Sequence, residues 1–173
     1  MRDLDEAARL IYARRRPVAV AAAGQYLLPP EEGRRIFCEE IVPDLLARPE
    51  PQEDPVVVFV VGQQGAGKSR VAGMVGGALA RRGGFAELDS DLYKPYHPAY
   101  RALLRNDDRL MAAYLGPDSW AWLAQAHDYV RSRRVNVLKH ETAQTAAAPR
   151  PICALTVTRA SGPRSWSWPY PPR

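Results

Sequence analysis

The chain has 173 residues, 46% of them hydrophobic and 25% charged, which is enough for one domain with a packed core. No apolar run approaches the roughly 20 residues of a membrane helix, and Asp3, Asp5 and Glu6 interrupt the basic start of a secretory signal, so the sequence predicts a cytoplasmic protein. The net charge of +5 is uneven: residues 130–173 hold eight basic side chains against one acid, whereas residues 1–129 hold sixteen against eighteen. A nucleic-acid binder gathers basic residues on one face of its fold, so this distribution argues against nucleic acid as the partner. Cys38 and Cys153 form no motif and read as two reduced thiols.

Residues 3–16 have helical spacing in Leu4, Ala7, Ala8, Ile11 and Tyr12. A second helix is predicted over 30–47, started by Pro29-Pro30 and Glu31-Glu32, with Pro43 as a point of kinking or division. ARPEPQEDP at 47–55 is a polar linker. VVVFVV at 56–61 is apolar on both faces, as a parallel strand buried between helices would be. Residues 68–82 predict a helix ended by Gly83-Gly84, and FAEL at 85–88 predicts a short strand. Two helices, about 98–115 and 118–134, are expected on either side of Gly116-Pro117, and VNVL at 135–138 is a third strand. This order predicts an α/β fold, a P-loop NTPase-like parallel sheet flanked by helices. The division expected is a kinase-like domain over 1–142 (helices to 47, linker 47–55, core 56–142). An irregular, basic, proline-rich tail is expected over 143–173, in which only ICALTV at 152–157 has strand character.

The motif that carries chemistry is Gly62-Gln63-Gln64-Gly65-Ala66-Gly67-Lys68-Ser69, with Arg70 following. It matches G-x-x-x-x-G-K-[ST] at every fixed position. Its glycines let the backbone curl around a phosphate with several N–H groups pointing inward, and the helix that follows adds its positive end. Lys68 can reach the β- and γ-phosphates, and the Ser69 hydroxyl can ligate Mg²⁺. ATP or GTP with Mg²⁺ is the ligand this predicts. No N-K-x-D guanine signature accompanies it. A small-molecule kinase also needs a group to take the proton from the accepting hydroxyl, placed at the carboxyl end of a nearby strand. Asp89 and Asp91, directly after FAEL, stand there.

GQQGAGKS, then Asp-Ser-Asp at 89–91, then Tyr93-Lys94-Pro95-Tyr96-His97-Pro98-Ala99-Tyr100 resembles the zeta toxins, P-loop kinases described as phosphorylating UDP-N-acetylglucosamine. The resemblance covers roughly 36–142 and includes the FCEEIVPDLL helix and the RRVNVL strand. It implies that Lys68 and Ser69 hold nucleotide and Mg²⁺, that Asp91 is the catalytic base, and that Asp89, His97 and Pro98 serve the acceptor side. Glu141 and Thr142 fit the family's E-x-T element imperfectly, with Lys139-His140 where apolar residues are expected. It also implies a nucleotide-sugar substrate and a protein antitoxin as partner. Nothing after 142 aligns with the later family segments that supply phosphate-clamping arginines. The fold is therefore expected to be incomplete at the C-terminus, with an open sheet edge, and Arg150, Arg159 and Arg164 to lie in solvent. Read one base earlier, codons for WSWPYPP at 166–172 would encode a buried-strand pattern ending in a turn, as a frameshift would leave it. Two alternatives stand beside the sugar-nucleotide kinase: a nucleotide-binding remnant without catalysis, and a kinase for another small hydroxyl compound.

Overall fold

Six consecutive apolar residues leave no face for water, so a strand made of them has to lie between two layers. The computed structural model, which describes residues 24–62, 67–106, 108–141 and 154–159, places Val56–Val61 (β1) in that position, with Val56 to Val60 all buried. Ala86–Leu88 (β2) and Val137–Glu141 (β3) run parallel to it, in the order β2-β3-β1. On the other side of β1 lies Ala154–Arg159 (β4), antiparallel, with Val61 opposite Ala154 and Val56 opposite Arg159. The strand character read at 152–157 thus appears two residues later, and the edge of β1 that the sequence leaves open is paired. The helix expected over 3–16 and the residues of the frame-shift reading at 166–172 lie outside the described residues.

The helices follow the apolar spacing except where proline and glycine occur. Pro30–Ile36 (α1) continues as a π-wound segment, Phe37–Leu46, that passes through Pro43 without dividing. The wider winding spares the proline ring its clash with the carbonyl four residues back, and Ala47 N–H closes the segment on Val42 O at 2.8 Å. Lys68–Ala80 (α2) ends as predicted: Gly83 and Gly84 have φ of +82° and +83°, and Gly84 N–H returns to Leu79 O at 3.1 Å. A Cβ on Gly83 would stand 2.3 Å from the Gln52 amide nitrogen and push that flexible side chain aside, while the φ of +82° would strain any residue but glycine.

The expected break at Gly116-Pro117 is not there. Tyr100–Asn106 (α3) gives way to a single helix, Asp108–Arg133 (α4), that contains Pro117. Burial outweighs the lost backbone bond: Leu115, Asp118, Ser119 and Trp122 are all interior, and Ser119 Oγ bonds Leu115 O at 2.8 Å across the proline.

Two apolar layers sandwich the sheet. On one face Ile36, Phe37, Ile41 and Leu46 meet Trp122, Ala126 and Val130 over Val57, Phe59, Leu88 and Val137. On the other Ala72 and Leu79 of α2 cover Val56, Val58, Val60 and Leu138. Asn136, fully buried, stitches the amino ends of β1 and β3 to the turn after α2. Its Oδ1 accepts Val56 N–H at 3.1 Å, and its Nδ2 donates to Arg82 O at 3.0 Å and Gly84 O at 3.1 Å. Asn136→Ala strands one buried and two part-buried backbone groups, and an unfolding titration is expected to show a loss of about 1–3 kcal/mol. A loss below about 0.5 kcal/mol would show that the stitch carries little.

Candidate nucleotide and acceptor site

The carboxyl ends of the three parallel strands bring the sequence motifs to one edge. β1 runs into Gly62, β2 into Asp89, and β3 ends at Glu141, which pairs with Val61. Gln63, Gln64, Gly65 and Ala66 are outside the described residues, as is Thr142. Gly67 has φ +77° and begins α2. That left-handed conformation costs a residue with a Cβ about 1 kcal/mol and glycine nothing, which is why the motif places one there. Lys68 Nζ donates to Gly62 O at 2.6 Å, spanning the loop from its last turn to its first glycine. Ser69 and Arg70 are exposed on the first turn of α2. A hydroxyl and an ammonium side by side at a helix start suit the paired recognition of Mg²⁺ and phosphate oxygens, so the donor set fits both ligands predicted for it.

The two aspartates divide their work. Asp89 caps the 3₁₀ turn Ser90–Leu92, its Oδ1 accepting Asp91 N–H at 2.9 Å. Asp91 is left outside, with a side chain 72% exposed and one carboxylate oxygen 2.5 Å from Lys94 Nζ. Lys94 went unremarked in the sequence reading, although its spacing three residues after Asp91 in a tight helical turn is the signal that pairs them.

His97 lies elsewhere than a ligand-facing residue would. It is 3% exposed, and both ring nitrogens are used within the chain. Nδ1 accepts Ala99 N–H at 3.1 Å, while Nε2 stands 3.1 Å from Tyr26 O and 3.3 Å from Asp118 Oδ2, which also accepts Leu28 N–H. The Nδ1 contact fixes the proton on Nε2. His97 and Asp118 thereby pin the turn that carries Asp91 to α4 and to the chain before α1. Pro98 is exposed at the start of α3. Tyr96 Oη donates to Asp44 Oδ2 at 3.2 Å, a second tie, to the π-wound segment. Of the two tryptophans weighed as stacking surfaces, Trp122 is core, its Nε1 bonded to Gly33 O at 2.8 Å, and Trp120 is 64% exposed on the opposite side of α4.

Behind the Asp turn sits Tyr93, fully buried, its hydroxyl without a hydrogen-bond partner among the described residues. Burial, and then the charges of Asp89 and Glu87, push its phenol well above the ordinary range. Tyr93→Phe removes a desolvated hydroxyl at no loss of contact, and thermal unfolding is expected to show unchanged or higher stability, by up to about 1 kcal/mol. A clear loss would mean the hydroxyl is satisfied in solution. On the strands beside it, His140 Nε2 lies 2.6 Å from Glu87 Oε1, a pair the sequence reading passed over.

Compared with known proteins, residues 44–154 match the family model described as Zeta toxin. The chain belongs to the zeta toxin family. Its fold is similar to a chain from the PezAT chromosomal toxin–antitoxin system of the human pathogen Streptococcus pneumoniae, with a TM-score of 0.59 and 18% identity. The alignment covers 72% of this chain and 50% of that one, so the chain spans about half the length of that relative. No curated protein sequence matches the chain. Membership fixes a P-loop kinase-like core. Among the described residues no helix is long and apolar enough to cross a membrane.

Proposed function

We propose that this chain is an ATP-dependent phosphotransferase that phosphorylates a hydroxyl of UDP-N-acetylglucosamine or a closely similar nucleotide sugar. The observation that carries the reading is the division of labour in the Asp-Ser-Asp turn. Asp89 is consumed as a cap, and Asp91 is thereby held outward at the sheet edge that also bears Lys68 and Ser69. The register supports the same reading: Val61 pairs with Glu141 and Leu88 with Lys139, so β3 stands between the start of the loop and the Asp turn.

The chemistry assigned to each residue follows. Asp91 accepts the proton of the acceptor hydroxyl as its oxygen bonds to the γ-phosphorus, and the bond from that phosphorus to the β–γ bridging oxygen breaks to release ADP. Lys68, moving from Gly62 O to the phosphates, balances charge on the β- and γ-oxygens. Ser69 would hold Mg²⁺, which when bound would add charge neutralisation at the polyphosphate. The family's E-x-T element assigns Glu141, at the end of β3, and Thr142 to the acceptor side. For Asp91 to act, Lys94 has to turn away or share the carboxylate with the substrate hydroxyl. The family and the similar toxin–antitoxin chain support a protein antitoxin as partner in the cell that makes the enzyme.

The same Lys94 contact favours a second reading, a nucleotide-binding protein without transfer, in which Asp91 stays engaged. Mass analysis of product after incubation with Mg·ATP and, separately, UDP-N-acetylglucosamine, UDP-glucose and uridine discriminates among the readings. Addition of one phosphate to a sugar nucleotide and none to uridine is the expected result. Equal phosphorylation of uridine would reject the sugar as acceptor, and no product from a chain that binds ATP would favour the second reading.

A further inference from the structure

Lys139-His140 replaces apolar residues where the family resemblance expects them, and the fold gives His140 a defined neighbourhood. Ala86 and Leu88 pack on the α1 and α4 side of the sheet, so strand alternation turns Glu87 to the α2 face. Leu138 packs beneath α2 with Val58 and Val60, and His140, two residues on, is on that same face. There the imidazole meets Glu87 at 2.6 Å with its side chain only 17% exposed. The register sets His140 level with Val60, two residues before the loop begins at Gly62. Leu88 pairs with Lys139, which brings Asp89 level with His140 from the other strand.

We propose that His140 is a phosphate-side residue of the nucleotide site: as an imidazolium held on Glu87 it places a positive charge beside the loop from β3, complementing the one Lys68 brings from α2, so that binding of a nucleoside polyphosphate is coupled to protonation of His140. The inference rests on the nucleotide-binding reading of the loop. The hydrogen bond to Glu87 raises the imidazole above its ordinary range, burial opposes it, the charges of Glu87 and Asp89 add to the rise, and Lys68 opposes it. On its own strand Lys139 is turned to the other face, 5.8 Å over the Phe59 ring, and Glu141 follows. A bound polyphosphate neutralises Lys68 and so relieves its opposition to the imidazolium. The sign is therefore fixed: the extra affinity is present below the titration point of His140 and is lost as pH rises through it.

The test is calorimetric binding of a non-hydrolysable Mg·ATP analogue to the full chain, to His140→Gln and to Glu87→Gln, from about pH 6 to about pH 8.5. Titration of the nucleotide itself is common to all three and cancels in their ratio. The wild type is expected to bind about three- to tenfold more tightly than His140→Gln at the acid end, with the ratio approaching one at the alkaline end. Glu87→Gln is expected to move that change to lower pH. In parallel, the imidazole titration followed by NMR in the wild type should shift upward when the analogue is added, a readout that does not depend on either variant folding. A ratio independent of pH, or a midpoint that stays or falls, would overturn the role of His140 while leaving nucleotide binding standing. Failure of the wild type to bind at any pH would reject the nucleotide reading, and this inference with it.

Discussion

Lys68→Ala is expected to weaken binding of Mg·ATP by about 100-fold and to abolish phosphate transfer, because it deletes a charge-assisted contact to the phosphates that no described neighbour duplicates in position. In the ligand-free chain this lysine donates to Gly62 O at 2.6 Å, so its ammonium lies within the loop and needs only a short movement to meet a phosphate. The substitution should cost little stability, since the lysine is half-exposed. Equilibrium binding of a fluorescent ATP analogue, with an unfolding curve alongside, separates these effects. Unchanged affinity in a folded variant would reject Gly62–Ser69 as the phosphate cradle.

Asp91→Asn is expected to leave nucleotide affinity within about twofold of the wild type and to lower transfer by about 10²–10⁴. Asparagine keeps the size and the backbone contact to Asp89 but cannot accept a proton from an attacking hydroxyl. It also loses the ion pair with Lys94, which is exposed on the aspartate side and contributes little to stability. The contrast with Asp89→Asn is informative. Asn remains a good cap, so that variant should retain most activity if Asp89 serves the turn and Asp91 the chemistry. Equal losses from both would assign them a joint role.

Much of the fold was legible because its signals are local. VVVFVV has only one comfortable environment, and the phosphate motif between a buried strand and an amphipathic helix dictates strand–loop–helix geometry on its own. Gly83-Gly84 ended α2 as the left-handed requirement predicts. What escaped the sequence was set by tertiary contact. Pro117 ought to end a helix, yet Asp118, Ser119 and Trp122 hold the turn around it in the core. The open edge of β1 was filled by an antiparallel strand, a pairing between residues about a hundred positions apart that no local pattern encodes. In the site, the choice of Asp91 over Asp89 rested on a resemblance, and the geometry supplies a physical ground for it in the cap. His97 was read as facing the acceptor, but a histidine's burial depends on partners such as Asp118 and Tyr26, which lie far away in the chain. The Glu87–His140 pair was missed for the same reason: its partners come from different strands, 53 positions apart.

The central claim is that Lys68 and Asp91 serve one phosphoryl transfer to a sugar nucleotide. Incubating the chain with γ-labelled Mg·ATP and UDP-N-acetylglucosamine, beside the Asp91→Asn variant, tests it most directly. The account predicts label in the sugar nucleotide with the wild type and none above background with the variant. Label transferred equally by both would contradict the assignment of Asp91, and a folded wild type that binds ATP yet transfers nothing would contradict the kinase itself.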